Sequence, residues 1–190
     1  MTMAEAGMDS PPIPFVEFPK IARLSRPCII TEKLDGTNGV VHVTDAGVVL
    51  AGSRSRWITP EQDNHGFARW VCEHEGELRE GLGPGTHYGE WWGLGIGKRY
   101  PGVPKTFSLF NTVRWGEKWP ACCSVTPVLY EGLFTTEAVE AVIQRLRDGG
   151  SVAAPGCRAE GVVVFHVQGH LLFKKTLEKD AEWKGQMVSS

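Results

Sequence analysis

The segment Glu32-Lys33-Leu34-Asp35-Gly36-Thr37-Asn38 sets a lysine among carboxylates and follows it with glycine and two small polar residues. A lysine amine attacks a phosphorus or carbonyl centre only when neutral, and nearby cations or partial loss of water favour that form. Gly36 lets the backbone come close to a bound nucleotide, and the Asn38 amide offers hydrogen bonds to ribose or phosphate oxygens. Lys33 is therefore the candidate nucleophile. A solvated hairpin turn is the plain alternative, since K-x-D-G arises by chance in roughly one chain in twenty of this length.

Other residues offer complementary chemistry. Arg54 and Arg56, in Gly52-Ser53-Arg54-Ser55-Arg56, follow an apolar run, so a guanidinium fork emerges where it can grip phosphate or ribose hydroxyls. Glu90 lies in the aromatic stretch His87–Gly93, where a half-buried carboxylate is costly without a partner. Phe110 is either a core ring or a base-stacking one. Glu160 opens the most apolar run and Lys174-Lys175 closes the next. One cleft can thereby receive a carboxylate for Mg²⁺ and an ammonium for phosphate. Two features resemble sites without being ones. Gly93–Arg99 has the glycines and lysine of a phosphate loop but lacks the spacing and the following Ser or Thr, and reads as a flexible connector. His166 and His170 flank a turn with no third ligand nearby, and read as satisfied or exposed histidines.

Positioning these residues falls to short β-rich runs at 28–33, 38–44, 47–52, 86–92, 106–113, 160–167 and 170–175. Tight breaks at Asp45-Ala46-Gly47 and Gln168-Gly169 predict antiparallel hairpins. Phe67, Trp70, Val71, His74 and Leu78 recur with a helical period, with Thr59, Pro60 and Gln62 as a start signal and Gly66 as a later alternative. Val139, Val142, Ile143 and Leu146 share a second helical face between Thr135 or Thr136 and Gly149-Gly150. Hairpin-linked strands outnumbering helices predict an α+β class. The breakers around Ser10–Pro14 predict a disordered leader over 1–14, a domain over 15–180 and a tail over 181–190.

A chain of 190 residues with 42% hydrophobic content and seven tryptophans has one domain's worth of core. Bulk disorder is excluded, and no run approaches the roughly 18 apolar residues of a membrane span. Five cysteines without a CxxC pair suggest reduced, mostly buried thiols. A net charge of −2 gives no global footprint for nucleic acid, so any polyanion is met by a local cluster.

In order, EKLDGTN, SRSRW, HYGEWWG, FSLFNT, AEGVVVF and LLFKK resemble the successive motifs of covalent nucleotidyltransferases, the superfamily of DNA and RNA ligases and capping enzymes. The likeness, over residues 28–176, is greatest to nick-sealing RNA ligases of the phage RNA ligase 2 type. It implies an ATP-grasp-like nucleotidyltransferase core and an ATP-dependent RNA ligase that serves RNA repair. Lys33 would form lysyl-AMP, pass AMP to a 5′-phosphate and let a 3′-hydroxyl displace it. By the same resemblance Glu32, Asn38, Arg54, Glu90 and Phe110 bind the nucleotide, Glu160 binds Mg²⁺ or Mn²⁺, and Lys174 and Lys175 are joint candidates for gripping phosphate. The family's two lysines one residue apart are here adjacent, with Thr176 in the second place. Implied partners are RNA ends or a nicked duplex, and no membrane. Relatives carry a further C-terminal domain that does not fit in the residues after Lys175, which implies a partner protein supplying it. The implied setting is cytoplasmic, phage-encoded in a host. A GTP-using capping-type transferase is the enzymatic alternative. A non-catalytic RNA-binding module derived from a ligase is the other, and the intact Lys33, Asp35, Gly36, Glu90 and Glu160 argue against it.

Overall fold

A computed structural model describes residues 14–178. The leader expected over 1–14, apart from Pro14, and the tail expected over 181–190 lie outside the described residues. Residues 14–26 run without regular structure, and the first strand begins at Pro27. Two antiparallel-dominated sheets follow. The strands are β1 (Pro27–Lys33), β2 (Gly36–Val43), β3 (Val49–Gly52), β4 (Trp57–Ile58), β5 (Gly85–Trp92), β6 (Thr106–Leu109), β7 (Cys123–Val125), β8 (Val128–Leu133), β9 (Gly161–His166) and β10 (Leu171–Thr176). One sheet has the order β10-β9-β1-β8 and the other β4-β3-β2-β5-β6-β7. Only the β6–β7 pairing is parallel among these strands.

Each sheet is covered by helix on one face. Alternation along β1 and β9 sends Cys28, Ile30, Val162 and Val164 to one side of the four-stranded sheet. There they meet α4 (Thr136–Gly149) through Val139, Val142, Ile143 and Leu146, the stripe expected from the sequence. Thr135 caps α4, its hydroxyl accepting the Ala138 N–H at 3.0 Å, which satisfies a donor the helix start would leave unpaired. Burying such an aliphatic side chain contributes about 1.5–3 kcal/mol. On the six-stranded sheet, Val41, Val43, Trp91, Phe107 and Leu109 pack against α1 (Phe67–Glu73) and α2 (Glu75–Leu82) through Phe67, Val71, Leu78 and Leu82. The uncovered faces of the two sheets converge where β1 passes into β2.

Several expectations are corrected locally. Thr59, Pro60 and Gln62 do form a cap, but it starts an isolated 3-10 turn over Pro60–Gln62, and helix begins only after Gly66, whose φ of 86° lies in the left-handed region. The periodic stretch then breaks at His74 into two helices. The strand expected over 106–113 stops at Leu109, because the Asn111 side chain accepts the Arg114 N–H and starts α3 (Thr112–Trp115). Strands β4, β7 and β8 were not anticipated. Both expected hairpins are antiparallel and all five cysteines are free, but the thiols are not mostly buried as expected: Cys28 and Cys123 are, Cys122 and Cys157 are partly so, and Cys72 is exposed. No helix among the described residues is long and apolar enough to cross a membrane.

Candidate active site

Lys33 is the last residue of β1 and Gly36 the first of β2, so Leu34 and Asp35 carry the chain from one sheet to the other. Both strands are interior to their sheets. Lys33 lies on the helix-free face of the four-stranded sheet, where its Nζ donates to Glu160 Oε2 at 2.7 Å. About a fifth of each side chain is exposed, 23% and 20%. Glu160 precedes β9, whose Gly161 pairs with Lys33, so ladder register brings together residues 127 positions apart.

Glu90 approaches from the other sheet. It stands between Asn38 of β2 and Ser108 of β6 in a cross-strand row on the face away from α1. Burial pushes its carboxyl up to about 7, and the nearby Glu160 and Asp35 carboxylates push the same way. The Lys33 ammonium and a hydrogen bond from the Gly36 N–H restrain the rise. Lys33, Glu160, Asp35 and Glu90 therefore occupy one electrostatic neighbourhood. Phe110 follows β6 on that same face and is 41% exposed, so it is not a core ring. Asn38 is exposed beside it. Arg54 is exposed at the tip of the β3–β4 hairpin, closed by a Ser53 N–H to Arg56 carbonyl bond of 2.8 Å, and makes no hydrogen bond or ion pair among the described residues. The structure does not bring it into contact with the Lys33 group.

Two candidates point elsewhere. The Glu32 side chain, one residue before Lys33, takes the opposite face. It is buried, with Oε2 accepting the Val152 and Ala153 N–H groups at 2.9 and 3.0 Å and Oε1 unpartnered. Its carboxylate braces the 151–154 turn and does not enter the Lys33 cleft. Lys175 pairs in register with Val162 and so lies on the α4 side, where it forms an ion pair with Glu140. Lys174 pairs with Val163 on the Lys33 side, is exposed, and has no partner among the described residues.

Two roles read from sequence change. Gly36 is demanded by the protein itself, because a Cβ there would come within 2.4 Å of the Trp91 carbonyl oxygen. The Gly93–Arg99 stretch is not a loose connector. The Lys98 N–H donates to Asp35 Oδ2 at 3.1 Å, and a Cβ at Gly97 would meet the Asp35 carboxyl at 2.8 Å. Missed by the sequence reading were Tyr100 and Arg99. The Tyr100 hydroxyl accepts the Asp35 N–H at 3.5 Å, and burial, helped by the charge of Glu32, pushes that phenol strongly up. Arg99 spans Asp35, the Ala159 carbonyl and Glu178. The only sequence signal for either was the proximity of a glycine-rich turn. His166 is satisfied, bonding the Leu24 carbonyl and the Gly169 N–H.

A sequence profile of RNA ligases matches residues 26–176. The chain belongs to the RNA ligase family. Solved structures similar to it include variants of the Naegleria gruberi RNA ligase. One with ATP and Mn shares 17% identity at a TM-score of 0.56, covering 80% of this chain and 49% of that one. An apo variant shares 19% identity at 0.57, and a variant with AMP and Mn shares 18% at 0.54, each over 80% of this chain and 50% of that one. The likeness is one of fold: this RNA ligase family member is α+β like them and spans about half their length. No curated protein matches the sequence.

Proposed function

We propose that the chain is an ATP-dependent RNA ligase that forms lysyl-AMP at Lys33, transfers AMP to a 5′-phosphate and seals that end to a 3′-hydroxyl. The observation that carries this is the Lys33 amine, 2.7 Å from Glu160, at the junction of two sheets in an RNA ligase family member. Lys33 sheds a proton, its nitrogen bonds the α-phosphorus, and the bond to pyrophosphate breaks. A 5′-phosphate oxygen then attacks that phosphorus and the N–P bond breaks, returning the amine. Last, the 3′-oxygen bonds the 5′-phosphorus and AMP leaves. Glu160 aims the amine, Lys174 neutralises phosphate charge, and Asn38, Glu90 and Phe110 hold ribose and base, with Arg54 closing over the nucleotide from its hairpin. Glu32 acts through the 151–154 turn.

The solved RNA ligases with ATP and Mn support ATP and a divalent ion as cofactors. No group of three His, Cys, Asp or Glu among the described residues could hold a metal alone. That suits Mg²⁺ or Mn²⁺ held by one or two carboxylates together with substrate phosphates. Glu160, a partly exposed carboxylate beside Lys33, is the residue that would hold the ion. The ion supplies neutralisation of charge on the departing pyrophosphate. RNA ends as substrate and a cytoplasmic setting belong to the same proposal. Incubation with α-labelled ATP and Mg²⁺ should leave label on the protein after denaturation. Label from GTP instead would favour the capping-type alternative, and none from either would overturn the proposal.

A further inference from the structure

On the α4 side of the four-stranded sheet, away from Lys33, a pocket of about 200 Å³ has Arg99, Arg147 and Arg158 in its lining, together with Leu146, Leu177 and Glu178 among others. Three arginines thus line one small cavity, Arg99 partly buried and the other two reaching solvent. Arg99 is partly answered, its Nη2 donating to Glu178 Oε2 at 3.1 Å and its Nη1 to the Ala159 carbonyl at 3.0 Å, with Asp35 Oδ2 3.9 Å from Nε. Arg147 and Arg158 are exposed and have no ion-pair partner among the described residues. A cation in the last turn suits the α4 dipole, which accounts for Arg147 but not for the other two. In a chain of net charge −2, this cluster is a local concentration of donors with the planar fork that fits phosphate oxygens.

We infer that this pocket binds a phosphate group of the RNA strand, a site distinct from the Lys33 cleft. The inference rests on the RNA ligase reading for its source of phosphate. Arg99 ties the two sites together physically, since the guanidinium lining this pocket also approaches Asp35 beside Lys33 and holds the carbonyl before Glu160. A strand gripped here would be held just behind the reacting lysine. The bound phosphate is an internal diester, because the terminal 5′-phosphate has to reach the AMP at Lys33.

The test is fluorescence anisotropy with a labelled RNA oligonucleotide, 5′-phosphorylated or 5′-hydroxyl, across a salt series. The probes are the full chain, an Arg147→Gln/Arg158→Gln variant, and a Lys20→Gln/Lys118→Gln variant with the same charge change elsewhere. The arginine variant should bind roughly tenfold more weakly, corresponding to about 1.4 kcal/mol. Its salt slope should be shallower by about one unit. Equal loss on both strands identifies the backbone diester, and loss confined to the 5′-phosphorylated strand overturns it. Unchanged affinity, or an equal loss in the lysine variant, overturns the site. ATP labelling of the same samples separates the two readings. A chain that takes label yet keeps its RNA affinity in the arginine variant refutes the pocket alone. A chain that takes no label yet loses RNA affinity in that variant refutes the ligase and keeps the pocket.

Discussion

Because Lys33 and Glu160 share a short bond with little exposure, replacing one leaves the other partly buried and unpaired. Lys33→Arg keeps the charge and offers no neutral nitrogen, so it should abolish covalent adenylylation with little change in melting temperature. Lys33→Ala should abolish it too and cost roughly 1–3 kcal/mol for the stranded carboxylate. Enzyme–AMP in the arginine variant would assign the chemistry to another lysine. At Glu90 the expected effect is on pH. A carboxyl held near 7 when folded and near 4.5 when unfolded binds its proton more tightly in the native state. Its contribution favours folding fully below about 4.5 and is lost as pH rises through 7. Glu90→Gln should therefore flatten the fall in melting temperature between pH 5 and 8, and at pH 8 should melt higher than the unsubstituted chain. A parallel pH profile in the two proteins would contradict this. EKLDGTN stood out as a candidate because it gathers its functional groups within seven positions. What Glu32 touches was not legible, since its partners lie 120 and 121 residues away.

Strand alternation decides what Lys174 and Lys175 can do. Lys174→Ala should lower the rate of lysine adenylylation several-fold or more, whereas Lys175→Ala, losing an exposed ion pair with Glu140, should leave that rate unchanged and shift stability by about 0.5 kcal/mol or less. Equal rate losses would mean that β10 does not keep the observed register. Adjacent lysines look alike in sequence, and only pairing with β9 separates their faces. The same ladder logic explains which elements could be read. Runs with clear alternation and tight turns, such as β2–β3 and β9–β10, declared themselves. β4 and β7, with two and three residues, carry too little pattern, and β8 holds Gly132 after Pro127. Between elements, the 151–154 turn depends on one side chain from β1. Glu32→Ala should cost roughly 1–3 kcal/mol by denaturant unfolding, because two partly buried N–H groups lose their acceptor. Glu32→Gln, which retains one, should cost less, and equal costs would show that the turn does not depend on Glu32 as an acceptor.

At the scale of the whole molecule, the α+β class and both helix-bearing faces followed from periodicity, whereas the division into two sheets did not. Periodicity tells which residues share a face, and nothing in it says that β1 and β2, almost contiguous in sequence, belong to different sheets. That division puts Glu90, Phe110 and Asn38 with the second sheet and Lys33 and Glu160 with the first, a separation that a sequence of candidate residues does not display. The link between the two sheets has a mechanical meaning. Leu34 is buried with Trp92, Tyr100 and Ala154, while Asp35 is fastened to the Lys98 N–H. A connection of two residues, one packed and one tethered, has no slack for a hinge. The two sheets are thus fixed to each other at the end that holds Lys33, the proposed nucleophile, and any clamping around a substrate has to come from elsewhere, such as the exposed Arg54 hairpin.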